Sequence, residues 1–294
     1  MTLMTTCEPT EQRPYAVVGA TGLQGGATTR ALVAAGVPVR ALTRNPNSDS
    51  GLALAELGAE VMRADLEDLG SLREPLTGVA GLFAMTTPGA KGPEGEEQHG
   101  RAIAEAAAAV GVPHVVYSSV GGAERNSGVP HFESKRHVEQ YMQELGLRAV
   151  FVRPVFFMDN FARFMGPTRE DGVLVVRMPL PADVPLQLVA ADDVGAVCAA
   201  ATVNPDRVAG GAIEIAGDEL TGDQIAEAYG RRYDVPARYE ALPVETLREN
   251  FDMYAMFSWF TKLPAYQADF EGTRALAPKT HTFDQWLAEQ GDLS

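Results

Sequence analysis

The chain has 294 residues, 46% hydrophobic and 21% charged, an ordinary globular balance that excludes disordered, collagenous and coiled-coil classes. At ~150 residues per domain this leaves room for one large or two modest domains. The net charge of −15 is shared by both halves, 12 basic against 17 acidic residues in 1–150 and 12 against 22 beyond, so neither half carries the basic footprint of direct nucleic-acid binding. From Tyr15 onward short apolar runs alternate with Ala- and Leu-rich stretches. Tyr15–Gly19, Val37–Thr43, Glu60–Arg63, Gly81–Met85, His114–Ser118 and Ala149–Arg153 read as strands. Thr21–Ala35, Leu52–Leu57, Leu69–Leu76, His99–Val110 and Glu133–Leu145 read as helices, several closed by glycine. Strict alternation of this kind predicts βαβ units in a doubly wound parallel sheet. After Pro154 the rhythm breaks: Pro179–Pro185 is irregular, Asp193–Thr202 helical, Ala212–Ala216 a strand, and Thr221 and Thr282 each open a capped helix.

Three segments follow: a flexible polar tail over 1–14, a dinucleotide-type α/β domain over 15–154, and a smaller α+β lid region over 155–294 that returns to the sheet and serves a substrate or partner. The tail has no apolar leader, no run reaches the ~18 apolar residues of a membrane span, and the two cysteines, Cys7 and Cys198, make neither a disulfide scaffold nor a CxxC metal site. A cytoplasmic protein without a membrane segment is the expectation.

The most specific motif is Gly19-Ala-Thr-Gly22-Leu-Gln-Gly25-Gly26, between the first strand and the first helix. Gly19 is expected to make the tight turn, Gly22 to let the backbone approach a pyrophosphate, and Gly25 to let helix and strand pack closely. Thr21, Leu23 and Gln24 complete the loop and count with it as cofactor-binding residues. This predicts a Rossmann-type NAD(P) site, with phosphates held by N–H groups at the helix start. No carboxylate follows the second strand; Arg44 stands there, and Arg40 within the strand, which favours NADP(H) over NAD(H). Asp65 and Leu66 after the third strand, and Thr86 and Thr87 after the fourth, fall where cofactor adenine and ribose would lie.

With these segments, and with His131-Phe-Glu-Ser-Lys135, Arg153-Pro-Val-Phe-Phe-Met-Asp-Asn-Phe161 and Ala190-Ala-Asp-Asp-Val-Gly195, the chain resembles the NmrA-like family of atypical short-chain dehydrogenase/reductases from Tyr15 to about Leu287. The resemblance implies a nicotinamide dinucleotide at the glycine loop. Ser119 and Lys135 fall at the family's catalytic Ser and Lys positions, while His131 departs from the family by occupying the position of the Tyr in Tyr-x-x-x-Lys, where it could donate a proton. With these three as the catalytic candidates, Lys135 either only hydrogen-bonds the nicotinamide ribose or is itself the acid/base. Pro154, Phe156 and Phe157 would face the nicotinamide end, with Asn160, Phe161 and Phe257 lining a pocket for a flat apolar molecule.

Two readings result. One is a redox sensor or regulator that binds the cofactor and changes protein partners; the missing Tyr tips the balance toward it. The other is an NADPH-dependent oxidoreductase reducing a quinone or similar flat acceptor. Other residues receive plainer expectations. Tyr117 and Tyr141 pack, Asp192 caps a helix, and Glu94, Glu96 and Glu97 lie in a solvated Gly/Pro loop. Cys198 is a small buried residue, and His99, His114 and His281 lack the spaced partners of a metal site.

Overall fold

A computed structural model describes residues 12–292. Cys7 and most of the expected tail therefore lie outside the described residues, and Pro14 already accepts the N–H of Ala80 at the sheet's lower edge. The first eleven elements are β1 (Tyr15–Val18), α1 (Leu23–Ala34), β2 (Val39–Thr43), α2 (Asp49–Glu56), β3 (Glu60–Arg63), α3 (Gly70–Leu76), β4 (Gly81–Met85), α4 (Gly92–Val110), β5 (Val115–Ser118), α5 (Pro130–Glu144) and β6 (Ala149–Pro154). There follow β7 (Phe156–Phe157), α6 (Asp159–Arg163), β8 (Thr168–Glu170), β9 (Val173–Met178), β10 (Leu186–Val189), α7 (Ala191–Val203), β11 (Ala212–Ile215) and β12 (Asp218–Leu220). The chain ends with α8 (Gly222–Tyr233), β13 (Ala237–Ala241), α9 (Phe251–Phe260), α10 (Phe270–Leu276) and α11 (Phe283–Glu289).

Seven parallel strands form the central sheet in the order β11-β6-β5-β4-β1-β2-β3. The order reverses between β1 and β4, so the crevice beyond their C-terminal ends is where such a sheet takes its ligand. Alternation along β1 divides the core. Val17 belongs to an apolar cluster with Leu32, Val194 and Val197, whereas Ala16 and Val18 belong to another with Leu82, Ile103 and Val138. Two three-stranded sheets, β12-β10-β7 and β13-β9-β8, come entirely from residues after β6.

The segment after β6 also returns to the main sheet. β11 adds the edge strand beside β6, in register from Ala212 opposite Phe151 to Ile215 opposite Pro154. α7 lies on α1, and a Cβ on Gly195 would sit 2.5 Å from the carbonyl carbon of Ala27, so only glycine allows this crossing. The cap of α7 differs from expectation. Ala190 stands at the N-cap, and the carboxylate of Asp159 accepts the Ala191 N–H at 2.9 Å, while Asp192 pairs at the surface with Arg30. Thr221 and Thr282 both form full capping boxes, with Gln224 and Gln285.

The largest departure concerns α4, which starts at Gly92 rather than His99 and so takes in the acidic run. Pro93 in its first turn and Glu94 behind it are ordinary helix-start residues, and the helix turns Glu96 inward to complete burial. No described helix is long and apolar enough to cross a membrane.

Candidate functional site: the crevice at the ends of β1, β4 and β5

The glycine turn has the geometry its spacing predicts. Gly19 adopts φ +68°, a conformation that favours glycine, and its carbonyl accepts the Gly22 N–H at 2.9 Å. A Cβ on Gly25 would overlap the Gly19 carbonyl, so helix and strand meet only because that side chain is absent. Gly22 stands at the N-cap with no side chain capping the helix. The N–H groups of Leu23, Gln24 and Gly25 therefore open toward the crevice without intrahelical acceptors, a ready anion cradle. Thr21 and Gly22 are exposed, and Gln24 is anchored by Ser118, whose Oγ donates to Oε1 at 2.6 Å. The side chains closed by glycine and the open N–H groups fit a dinucleotide pyrophosphate.

Farther along the crevice, Arg44 lies exposed beyond β2 and forms no ion pair among the described residues. Arg40 is at the opposite end of that strand, tied to Glu60 and to the carbonyls of Pro75 and Thr77, so it braces the sheet and stands away from the crevice. Asp65 uses Oδ1 to accept the Glu67 N–H at 3.1 Å. Leu66, with Glu67, Leu69, His99 and Arg101, borders a cleft of about 300 Å³ against α4.

Lys135 is the polar centre. It is buried, and its Nζ donates to the Thr86 carbonyl at 3.0 Å and pairs with Glu96 at 2.9 Å, with the Ser118 carbonyl at 3.5 Å. Glu96, fully buried, also accepts from Ser134 Oγ at 2.7 Å and Thr86 Oγ1 at 3.2 Å. Since Thr86 spends its single hydroxyl hydrogen on that carboxylate, the 2.8 Å bond between Thr86 and Tyr117 runs from the tyrosine hydroxyl. Burial, the largest single influence, would lower Lys135, but Glu96, by its charge and hydrogen bond, and Tyr117 together outweigh it and hold the ammonium above the ordinary lysine range. Tyr117 is raised by burial and remains a neutral donor. Two sequence expectations change here. Glu96 is an interior counter-ion instead of a solvated surface charge, and Tyr117 contributes its hydroxyl to the network besides packing. Tyr141 is at the surface, bonded to Glu105.

Of the other expected catalytic residues, Ser119 is 4% exposed and its Oγ has no partner. His131 is one helical turn before Lys135, and Asp252 from the first turn of α9 meets its Nδ1 at 2.7 Å and its backbone N–H at 2.9 Å. Burial pushes the Asp252 carboxyl up, but the bonds and charge from His131 prevail and keep it below the usual carboxylate range. Sequence spacing could not reveal Asp252, which lies in a distant helix; Pro93-Glu94 was the available signal for Glu96.

The proposed aromatic pocket is not assembled. Phe156, Phe161 and Phe257 are 5%, 2% and 0% exposed and meet edge to face, with ring centroids 6.2 Å apart for Phe156 with each of the other two. They fill the core under β7 and α9 because the three rings saturate one another's apolar surface. Phe157 and Asn160 remain half-buried, Pro154 is buried, and Thr87 is exposed. A second cavity, about 200 Å³, lies among Leu186, Gln187, Phe260, Leu263 and Tyr266; neither cavity includes Lys135 or His131. Among the described residues no three His, Cys, Asp or Glu side chains are grouped to hold a metal.

A parallel doubly wound sheet with a glycine turn at its switch point defines a dinucleotide-fold protein. Residues 12–287 match the model of the NmrA-like family, and the chain belongs to that family. Its relatives include the NmrA-like family domain-containing oxidoreductase FrzB of a Cladobotryum species, 32% identical over 278 residues, 83% of this chain and 82% of the other. Two solved structures share the fold at 23% identity: the negative transcriptional regulator NmrA in complex with NAD (TM-score 0.81, 95% of each chain), and the NADPH-dependent quinone oxidoreductase QOR2 of Escherichia coli with NADPH (TM-score 0.79, 93% of this chain and 98% of that one).

Proposed function

We propose that this protein binds NADP(H) in preference to NAD(H) and transfers hydride from it to a small unsaturated acceptor. The observation that carries the reading is Ser119 Oγ, a buried hydroxyl without a partner directly after β5 at the sheet's ligand end. Buried polar groups are nearly always satisfied, so a ligand atom or an ordered water at the crevice would complete it. The Lys135 ammonium held over the ends of β4 and β5 would face the nicotinamide ribose, and the open N–H groups of Leu23, Gln24 and Gly25 the pyrophosphate. When bound, NADPH supplies the hydride; the protein supplies position and charge. The oxidoreductase FrzB, alike over most of both chains, supports this reading.

A second reading, cofactor sensing without chemistry, is favoured by the closed packing of Phe156, Phe161 and Phe257, which withdraws those three rings from a pocket for a flat substrate. The deciding experiment follows NADPH consumption at 340 nm with quinones, aryl aldehydes and enones. Turnover that Lys135→Ala abolishes supports the reductase. Tight NADPH binding with no turnover on any acceptor supports the sensor.

A further inference from the structure

We propose that His131, pinned by Asp252, is the proton donor of the reduction, that Lys135 is not, and that the acceptor is therefore a conjugated or aryl carbonyl, whose reduction needs an acid. This rests on the reductase reading.

Asp252 faces Nδ1 as an ionised carboxylate, an acceptor only, so Nδ1 must carry a hydrogen and donate it. Its second anchor, the His131 backbone N–H, keeps the carboxylate in place. A position in the first turn of α9, whose N-cap Asn250 accepts the Met253 N–H, favours the negative charge there. With Nδ1 committed, Nε2 points away from Asp252, and among the described residues it has no partner. The side chain is 18% exposed, open enough to exchange protons with water. This is the carboxylate–imidazole arrangement in which the carboxylate sets tautomer and orientation while Nε2 handles the proton.

Lys135 is placed for a different task. It shares a helix face with His131, but its N–H groups are directed at Thr86, Glu96 and Ser118 in a buried setting. Giving up a proton would leave Glu96 buried without its counter-charge, so Lys135 acts as a fixed positive charge.

The step balances when the ring starts as imidazolium, with hydrogens on both nitrogens: a bound NADPH would supply the hydride to the acceptor carbon as the π pair moves to oxygen, the oxygen would take the Nε2 proton, and the neutral Nδ1–H imidazole left behind would be reprotonated from solvent.

The test has two parts. In the ligand-free protein at alkaline pH, where the ring is neutral, ¹⁵N-histidine NMR should show His131 as the Nδ1–H tautomer, the form left once Nε2 has given its proton, and Asp252→Asn should convert it to a mixture. In turnover, wild type is compared with His131→Gln and Asp252→Asn on benzaldehyde and on a cationic triarylmethane dye, which takes hydride without a proton. The ratio of aldehyde to dye rates should fall by about 100-fold or more in His131→Gln, the usual scale of general acid catalysis, with NADPH affinity within about twofold of wild type. His131→Tyr, which restores a phenolic acid at the same place, should recover part of the ratio. A wild-type Nε2–H tautomer, or an unchanged ratio in His131→Gln, overturns the proton-donor role alone, as does reduction of the dye without reduction of any carbonyl. NADPH binding with no turnover on any acceptor overturns the reductase reading and the donor role together.

Discussion

At the residue scale the site is governed by one buried ion pair. Lys135 and Glu96 are 7% and 0% exposed, and such a pair costs desolvation on both sides while a single survivor costs more. Glu96→Gln should therefore destabilise the protein by about 3–5 kcal/mol in urea unfolding, and Glu96→Gln with Lys135→Met should recover a measurable part of that loss. The sign with pH follows from Lys135, raised in the folded state. The stabilisation is fully present below the unfolded lysine value of ~10.4 and is lost as pH rises through the higher folded value, so wild type and Glu96→Gln should converge only in strong alkali. Arg44 is a contrasting case, an exposed cation whose effect appears only with ligand. Arg44→Ala should weaken NADPH by about 10- to 100-fold, the scale of a charged hydrogen bond to a phosphate, and leave NADH within about threefold by fluorescence titration. Equal losses for both cofactors would remove Arg44 from the 2′-phosphate. Gly19 and Gly25 are legible because local spacing carries their turn geometry, whereas Lys135 and His131 enter through the family resemblance, and the structure sets them one helical turn apart. Glu96 and Asp252 were not, because each acquires its role from a partner on another helix.

At the element scale, strands were read more accurately than helix starts. β4 coincides with its apolar run, since a buried parallel strand has little else to be, and β3, partly exposed at the sheet edge, has the bounds its sequence predicts. The first turn of α4 reads as loop from sequence because Gly92, Pro93 and Gly95 resemble turn residues, although proline and acid at a helix start are favourable. The pairing of α1 with α7 could not be seen locally at all. It depends on Gly195 meeting Ala27, and it presses on the helix that carries the anion cradle. Gly195→Ala should force the helices apart at a cost of about 1–3 kcal/mol, typical of overpacking. Because the displacement reaches the turn at Gly22–Gly25, NADPH affinity should fall along with the melting temperature. A stability loss with unchanged affinity would show that the crossing and the turn are mechanically independent.

At the scale of the molecule, the break in the αβ rhythm after Pro154 marks a change of pattern, and the structure shows the later segment completing the earlier one. β11 extends the central sheet beyond β6, and α7 covers the face formed by Val17, Leu32, Phe83 and Val116 with Val194, Val197, Cys198 and Ala201. The opposite face, with Leu82, Ile103 and Val138, draws only on residues before β7 for its large side chains. Residues 1–154 alone would thus keep one covered face and expose the other, together with the unpaired edge of β6, a template for aggregation. The expected result is that this fragment is insoluble or lacks a cooperative melt, while the whole chain unfolds in one calorimetric transition with matching van't Hoff enthalpy. A soluble 1–154 fragment that melts cooperatively and binds NADPH would show instead that the sheet is self-sufficient and that α7 and β11 are additions to it. In that case the Asp252–His131 contact would be an interaction between separately folding units, open to control by whatever moves α9.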